Sequence, residues 1–224
     1  MNKASTNIHF YKNENGPVIR VTVKPVIEKD GLYFRDLTGD GRLAPYKDWR
    51  NTPAVRAASL AAELSADEKI GMLFVNSWKM GIYQEDRTKV DESGLLNEEI
   101  VEQDESIFNV ENTYGTTCTV KEMGIRHFIL RQNPRPGELA DWINQLNMVA
   151  EGTGHALPVM VLSNSRNEHG EIVFGMNDAA GVFAAWPGTL GIAAAVRGSG
   201  PELIDSFAEC IRREWDAVEM KKGY

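Results

Sequence analysis

The sequence predicts an α/β fold with a buried parallel sheet. Two apolar runs, residues 125–131 and 157–163, flank residues 137–154, in which apolar side chains recur at helical spacing. Short connections between the three segments favour a right-handed strand–helix–strand unit. Runs that are apolar on both faces are typical of strands covered by helices on both sides of a sheet.

The composition limits the classes of function. The 224 residues are 42% hydrophobic and 25% charged, which provides enough apolar material for one sizeable core. The net charge of -8 argues against a nucleic-acid partner, because nucleic-acid binding needs a clustered basic surface. No apolar run approaches the roughly 20 residues that span a bilayer, and residues 1–15 are too polar for a signal-peptide core. We therefore expect no membrane partner and a cytoplasmic location, with the periplasm and secretion left open.

Residues 1–50 are predicted to form an N-terminal β-hairpin followed by a linker. Apolar and polar residues alternate from Ile19 to Val23, and a second apolar run begins at Leu32. The dipeptide Asp30-Gly31, which lies between the two runs, is typical of hairpin turns.

The linker, residues 36–50, begins like a calcium-binding loop. An EF-hand-type loop needs oxygen ligands at its first, third, fifth and ninth positions, a glycine at the sixth and a bidentate glutamate at the twelfth. Counted from its first residue, the loop has four of these: Asp36, Thr38, Asp40 and Gly41. Ala44 has no side-chain oxygen at the ninth position, and Lys47 places a positive charge at the twelfth, where it would repel the ion. We therefore expect the loop to keep its turn geometry without binding a metal, and we expect no cofactor elsewhere.

Two short helices in series are predicted next. Thr52-Pro53 supplies an N-cap and a first-turn proline, and Ser65 and Glu68 have capping-box spacing before an apolar run that ends at Phe74. Residues 84–112 are acidic and weakly periodic, which predicts a solvated loop or a frayed helix. Cys118 and Cys210 lie far apart, so we expect two separate buried thiols.

Polar side chains follow both strands of the predicted unit. Arg131 ends the first apolar run, and residues 163–169, which include Asn164, Arg166 and His169, follow the second. The carboxyl ends of parallel strands meet at the edge where α/β folds bind ligands. The sequence therefore predicts a binding site at this edge.

Six blocks of the sequence carry a family resemblance. They are, in order, "DLTGDGRLAPYKDWR", "LSADEKIGMLF", "GIRHFILRQNPRPGELADWINQLNMVAE", "LPVMVLSNSRN", "FGMNDAAGVFAAWPGTLGIAAAV" and "FAECIRREWDAVEMKKGY". Together they resemble the N-terminal barrel of family 3 glycoside hydrolases, the β-glucosidase-like group, over residues 32–224 apart from the acidic stretch. The resemblance implies that residues 51–224 are part of a (β/α)8 TIM-like barrel with a pocket for one terminal sugar, which is hydrolysed with retention through a covalent intermediate.

The same resemblance implies which residues contact the carbohydrate substrate. In the family an aspartate, followed within a few residues by Arg-His or a histidine, holds the sugar hydroxyls after an early strand. Here that neighbourhood is "SNSRNEHG", where Asn164 replaces the aspartate and Arg166 and His169 remain as donors. An amide makes neutral hydrogen bonds in place of stronger charge-assisted ones. Arg131 is a further candidate; alternatively, these side chains hold the loop to the rim of the barrel or form a structural ion pair.

No catalytic residue is assigned to this chain. The nucleophilic aspartate of the family follows a later strand and the acid/base usually comes from beyond the barrel, so the chain resembles an N-terminal portion of a larger enzyme. Glu168, Glu171 and Asp178 are expected to be solvated loop carboxylates. The alternatives are a non-catalytic carbohydrate-binding or interaction protein derived from the same barrel, and a phosphate-handling barrel enzyme, which is disfavoured because no glycine-rich anion nest is visible. The sugar, the linkage and the oligomeric state are left open.

Overall fold

The computed structural model describes residues 8–100, 114–130, 134–162 and 187–222. Within these ranges the chain forms strands and helices in the following order: β1 (His9–Lys12), β2 (Val18–Val21), β3 (Val26–Lys29), β4 (Leu32–Arg35), α1 (Pro53–Glu63), α2 (Ala66–Gly71), β5 (Val75–Trp78), α3 (Thr116–Lys121), β6 (His127–Leu130), α4 (Pro136–Glu151), β7 (Met160–Leu162), α5 (Thr189–Ser199) and α6 (Glu202–Lys222). None of the helices described combines the length and the apolarity needed to cross a membrane.

The N-terminal segment contains two antiparallel hairpins where the sequence predicted one. β3 pairs with β4 across Asp30 and Gly31, whose φ angles of 53° and 73° are the left-handed values that a tight two-residue hairpin turn requires. The turn is therefore confirmed. The alternating run at Ile19 forms β2, which pairs with the upstream strand β1. Ile19 and Val21 point inward and are buried.

Both predicted helix starts are confirmed, but the second helix is shorter than expected. Thr52 caps α1, and Ser65 and Glu68 form a reciprocal capping box at the start of α2. α2 ends at Gly71, where a Cβ atom would collide with the backbone of Met123 and Gly124. The apolar residues after Gly71 leave the helix, and the strand β5 begins at Val75.

A three-stranded parallel sheet, in the order β5-β6-β7, forms the centre of the chain. β6, α4 and β7 make up the predicted strand–helix–strand unit, which confirms the α/β class. β5 was not predicted as a strand. In the part of the chain that the structure describes, the sheet is open at both edges and no closed barrel is present.

The core lies between this sheet and α4. Trp142 and Leu146 of α4 are fully buried, in agreement with the apolar periodicity of residues 137–154. Trp78 at the end of β5 stacks on Phe128 of β6 with ring centroids 3.9 Å apart.

The expectation of a solvated acidic loop fits the exposed residues 85–88 but is wrong near Leu96. Leu96 is 0% exposed and Asn97 is 4% exposed, and the two residues form isolated bridges with Met80 and Val90. Two short 3₁₀ helices, Gly81–Tyr83 and Arg87–Lys89, precede them. The loop folds back because the carboxylate of Asp91 accepts hydrogen bonds from the backbone N–H groups of residues 95 and 96.

Pro187-Gly188 precedes α5, which has no buried residue in the described structure; Leu190 is 84% exposed. Both cysteines are free thiols; Cys118 is half-buried, whereas Cys210 is exposed, so the expectation of a buried thiol is wrong for Cys210.

Candidate functional site

The carboxyl edge of the parallel sheet is where the sequence places the binding site. The structure brings the ends of β5, β6 and β7 side by side, with Trp78 opposite Leu130 and Ile129 opposite Leu162. Arg131 follows directly on β6, and the loop that contains the other candidates follows directly on β7. The candidates themselves lie outside the described residues: Arg131, Asn164, Arg166, His169, Glu168, Glu171 and Asp178. The structure thus describes the strands that lead to the proposed site.

The loop after β5 carries an ion pair between Lys89 and Glu99. Lys89 Nζ lies 2.5 Å from Glu99 Oε1, and Gln84 Nε2 donates to the other carboxylate oxygen at 2.9 Å. The hydrogen bond from Lys89 lowers the pKa of Glu99. A carboxylate held in its ionised form is poorly suited to donate a proton as a general acid. We therefore assign Glu99 a structural role, in which its ion pair with Lys89 stabilises the loop.

Glu98 has the opposite electrostatic character. Burial raises the pKa of Glu98, although hydrogen bonds from Thr117 act against the shift. The backbone N–H of Thr117 lies 3.1 Å from Oε2 of Glu98, and the Thr117 hydroxyl donates to Oε1 at 2.5 Å. Because Thr117 is in the first turn of α3, Glu98 caps this helix from a distant part of the chain. No local pattern in the sequence predicts this role, since the two residues are 19 positions apart.

The loop that resembles a calcium site is filled by its own lysine. Lys47 Nζ lies 2.7 Å from Asp36 Oδ1, 2.6 Å from Thr38 Oγ1 and 2.5 Å from Asp40 Oδ1. These oxygens come from the first, third and fifth positions of the loop, and calcium ligands lie at about 2.3 to 2.6 Å from their ion. The ammonium therefore occupies the place that a bound cation would take. Our expectation of simple repulsion was incomplete, because Lys47 also uses the ligands.

The electrostatics of this loop confirm a mutual stabilisation. Burial alone would lower the pKa of Lys47, but hydrogen bonds to Asp36 and Asp40 outweigh it and the pKa is raised. Burial alone would raise the pKa of Asp36, but the hydrogen bonds from Lys47 and from the backbone of Gly41 outweigh it and the pKa is lowered. Elsewhere in the described residues, no group of three or more histidine, cysteine, aspartate or glutamate side chains is arranged to hold a metal ion.

Comparisons with known proteins identify relatives over most of the chain. It is 30% identical over 200 residues to a protein named periplasmic beta-glucosidase/beta-xylosidase from Dickeya chrysanthemi, a match that covers 89% of this chain and 27% of that protein. It is 29% identical over 177 residues to probable beta-glucosidase C of Aspergillus oryzae, covering 79% of this chain and 24% of that protein. The chain is 27% identical over 167 residues to beta-glucosidase C of Emericella nidulans, a match that covers 74% of this chain and 22% of that protein. No family model matches the chain. The chain spans about a quarter of the length of these curated relatives.

Proposed function

We propose that this chain, whose resemblance to β-glucosidases is confirmed over most of its length, is the N-terminal part of the catalytic barrel of a family 3 glycoside hydrolase. The similarity to a β-glucosidase/β-xylosidase over 89% of the chain is the observation that carries this proposal. The parallel unit β6-α4-β7 supports it, because parallel strands joined by a helix are the repeating element of a (β/α)8 barrel. The whole protein would release terminal sugars from β-linked glycosides with retention of configuration.

The role proposed for this chain is to bind the terminal sugar. The segment with Asn164, Arg166 and His169 follows β7, and Arg131 follows β6. Both segments therefore begin at the same edge of the sheet. Arginine and histidine N–H groups donate to sugar hydroxyls, and Asn164 both donates and accepts. Because Asn164 stands where the family has an aspartate, we expect weaker sugar binding than a carboxylate would give.

The chemical step is assigned to residues outside this chain. Retaining hydrolysis needs a nucleophilic carboxylate and a protonated carboxyl about 5 to 5.5 Å apart, one of them with a raised pKa. Among the described carboxyls on the loop after β5 and in the first turn of α4, Glu99 and Glu138 are paired with Lys89 and Arg135, and both pKa values are lowered. The described carboxyl with a raised pKa in this region, Glu98, is engaged by Thr117.

Sugar binding by the purified chain tests the proposal directly. We expect saturation-transfer NMR to detect binding of glucose or xylose, and we expect Arg166→Ala and His169→Ala to weaken it at least several-fold. Arg42→Ala is the matched control, because Arg42 is an exposed arginine on the Asp36 loop, which contributes no residue to the proposed site. Asn164→Asp should tighten binding. If neither sugar binds, or if the site variants bind as the wild type does, the assignment is wrong.

Catalysis is tested separately with aryl β-glucosides and β-xylosides. We expect no turnover by this chain alone, because its proposed role is binding. Turnover that Glu168→Gln or Asp178→Asn abolishes would show that the catalytic pair lies within the chain.

A further inference from the structure

A polar cavity of about 180 Å³ lies between the N-terminal hairpins and the last turns of α4. It is on the side of the sheet where α4 ends and the chain enters β7, away from the carboxyl edge that carries the proposed sugar site. Its polar lining comes from both elements: Arg20, Thr22, Arg35, Asn144, Asn147 and Glu151. Nothing in the proposed sugar site involves these residues.

The two arginines of this cavity contact neutral oxygens. Arg20 Nη1 donates to Asn144 Oδ1 at 2.9 Å. Arg35 donates to the backbone carbonyl of Arg20 through Nε at 2.9 Å and through Nη2 at 2.7 Å. In the described part of the chain, neither guanidinium has a carboxylate within ion-pair distance. Each guanidinium has five N–H donors, so donors on both remain for a further acceptor.

Glu151, the carboxylate of the cavity, has its oxygens occupied by other donors. Its Oε1 accepts the backbone N–H groups of Thr22, Val23 and Lys24 at 2.9, 3.1 and 3.0 Å. Its Oε2 accepts the Thr22 hydroxyl. Burial would raise the pKa of Glu151, but these hydrogen bonds lower it overall, so the group is ionised at neutral pH. Two guanidiniums and one carboxylate leave the cavity with a net positive charge.

We propose that this cavity is a binding site for a small oxyanion, held between the guanidiniums of Arg20 and Arg35. The fork of N–H donors on an arginine matches the oxygens of a carboxylate or a phosphate. The volume is sufficient, since a cavity needs only about 10 to 15 Å³ of such space to hold one water, and the anion could keep some of its water. A bound anion would also stabilise the charge of Arg35. Burial lowers the pKa of Arg35, and the nearby positive charge of Arg20 lowers it further, whereas Glu151 raises it.

The first test is a thermal unfolding series on the purified chain with phosphate, acetate and chloride at equal ionic strength. A ligand that binds the folded state raises the melting temperature as ln(1 + [L]/Kd). We expect a saturable rise with phosphate or acetate that chloride does not reproduce. The larger of the two responses distinguishes a tetrahedral oxyanion from a carboxylate. A response no larger than that to chloride would overturn the proposal.

Two variants locate the response. Arg20→Gln should weaken oxyanion binding at least tenfold, whereas Arg42→Gln, at an exposed arginine outside the cavity, should not change it. Asn144→Asp places a permanent carboxylate beside Arg20, so we expect it to melt higher in chloride and to lose the oxyanion response. This variant answers the question even if Arg20→Gln fails to fold. An undiminished response in Asn144→Asp, or an equal response in Arg20→Gln and wild type, would contradict the site.

Discussion

Lys47 Nζ lies 2.7 Å from Asp36 Oδ1, and both side chains are almost completely buried. The same nitrogen reaches Thr38 and Asp40, so one ammonium pairs with both carboxylates of a loop that has the ligand spacing of a calcium site. A buried charge is tolerated only when it is paired and hydrogen-bonded. The loop therefore depends on the cation of its own side chain.

Removing this cation should destabilise the chain strongly. Lys47→Met keeps an unbranched side chain but leaves Asp36 buried without its counter-charge, and breaking a buried pair costs about 3 to 5 kcal/mol. We expect a loss of that size in the free energy of unfolding, measured by urea denaturation. Lys69→Met, at an exposed lysine of α2, is the control and should change stability by less than about 0.5 kcal/mol. If Lys47→Met lowers the free energy of unfolding only slightly, and if adding Asp36→Asn to that variant changes nothing further, the pair contributes little to stability.

Glu151→Gln should reduce stability at neutral pH and reduce its dependence on acid. The folded pKa of Glu151 is lowered, so its stabilising effect is present above the unfolded value of about 4.3 and is lost as the pH falls through the folded value. Hydrogen bonds to a charged group contribute about 1.5 to 3 kcal/mol, which sets the expected loss at pH 7. Urea unfolding at pH 7 and below pH 4 measures both effects. An equal loss at the two pH values would contradict the linkage.

The same substitution at Glu98 should have a different result. The folded pKa of Glu98 is raised by burial, so stability is greatest when the group is protonated and declines as the pH rises through the folded value. Glu98→Gln keeps an oxygen that can accept from Thr117 and removes the buried charge. We expect a change of less than about 1 kcal/mol at pH 7, and a smaller decline between pH 4 and pH 7 than in the wild type. A loss at pH 7 as large as that of Glu151→Gln would indicate that the charge is needed to cap α3.

Gly71→Ala tests the close approach at the end of α2. The added Cβ would collide with backbone atoms of Met123 and Gly124, which cannot move aside as a flexible side chain would. We expect a loss of about 1 to 3 kcal/mol in unfolding free energy, as for other overpacked sites. Gly198→Ala in α5 is the matched control, because nothing lies within 4 Å of its added Cβ and alanine favours the helix. Similar effects of the two substitutions would argue against the close approach.

The parts of the fold that the sequence predicted are those determined by short-range patterns. The cap at Thr52 and the capping box of Ser65 and Glu68 depend on contacts three residues apart, and the turn at Asp30-Gly31 depends on backbone preference alone. The helix α4 follows from its own apolar periodicity.

The features that were missed depend on contacts between distant residues. The apolar residues after Gly71 were compatible with a longer helix, whereas α2 ends at Gly71, where the backbone of Met123 and Gly124 approaches closely. Leu96 is buried because the loop folds over the sheet, which an acidic sequence does not indicate. In the loop that resembles a calcium site, the sequence predicts that Lys47 brings a positive charge. That its Nζ lies among the oxygens of Asp36, Thr38 and Asp40 is seen only in the structure.

Calcium should leave the wild-type protein unaffected and stabilise a designed variant. Because Lys47 Nζ already uses the oxygens of Asp36, Thr38 and Asp40, millimolar calcium should not change the wild-type melting temperature. Lys47→Glu removes the competing ammonium and restores the bidentate carboxylate at the twelfth position of the loop. We expect this variant to be less stable than wild type without metal, because three carboxylates then face one another, and to gain melting temperature with calcium. Adding Ala44→Asp should increase the gain.

Magnesium at the same concentration controls for charge screening, since it prefers a smaller octahedral site. A calcium-specific rise in the wild type would show that the lysine leaves the loop when the ion binds, and an equal response of Lys47→Glu to both metals would show screening alone.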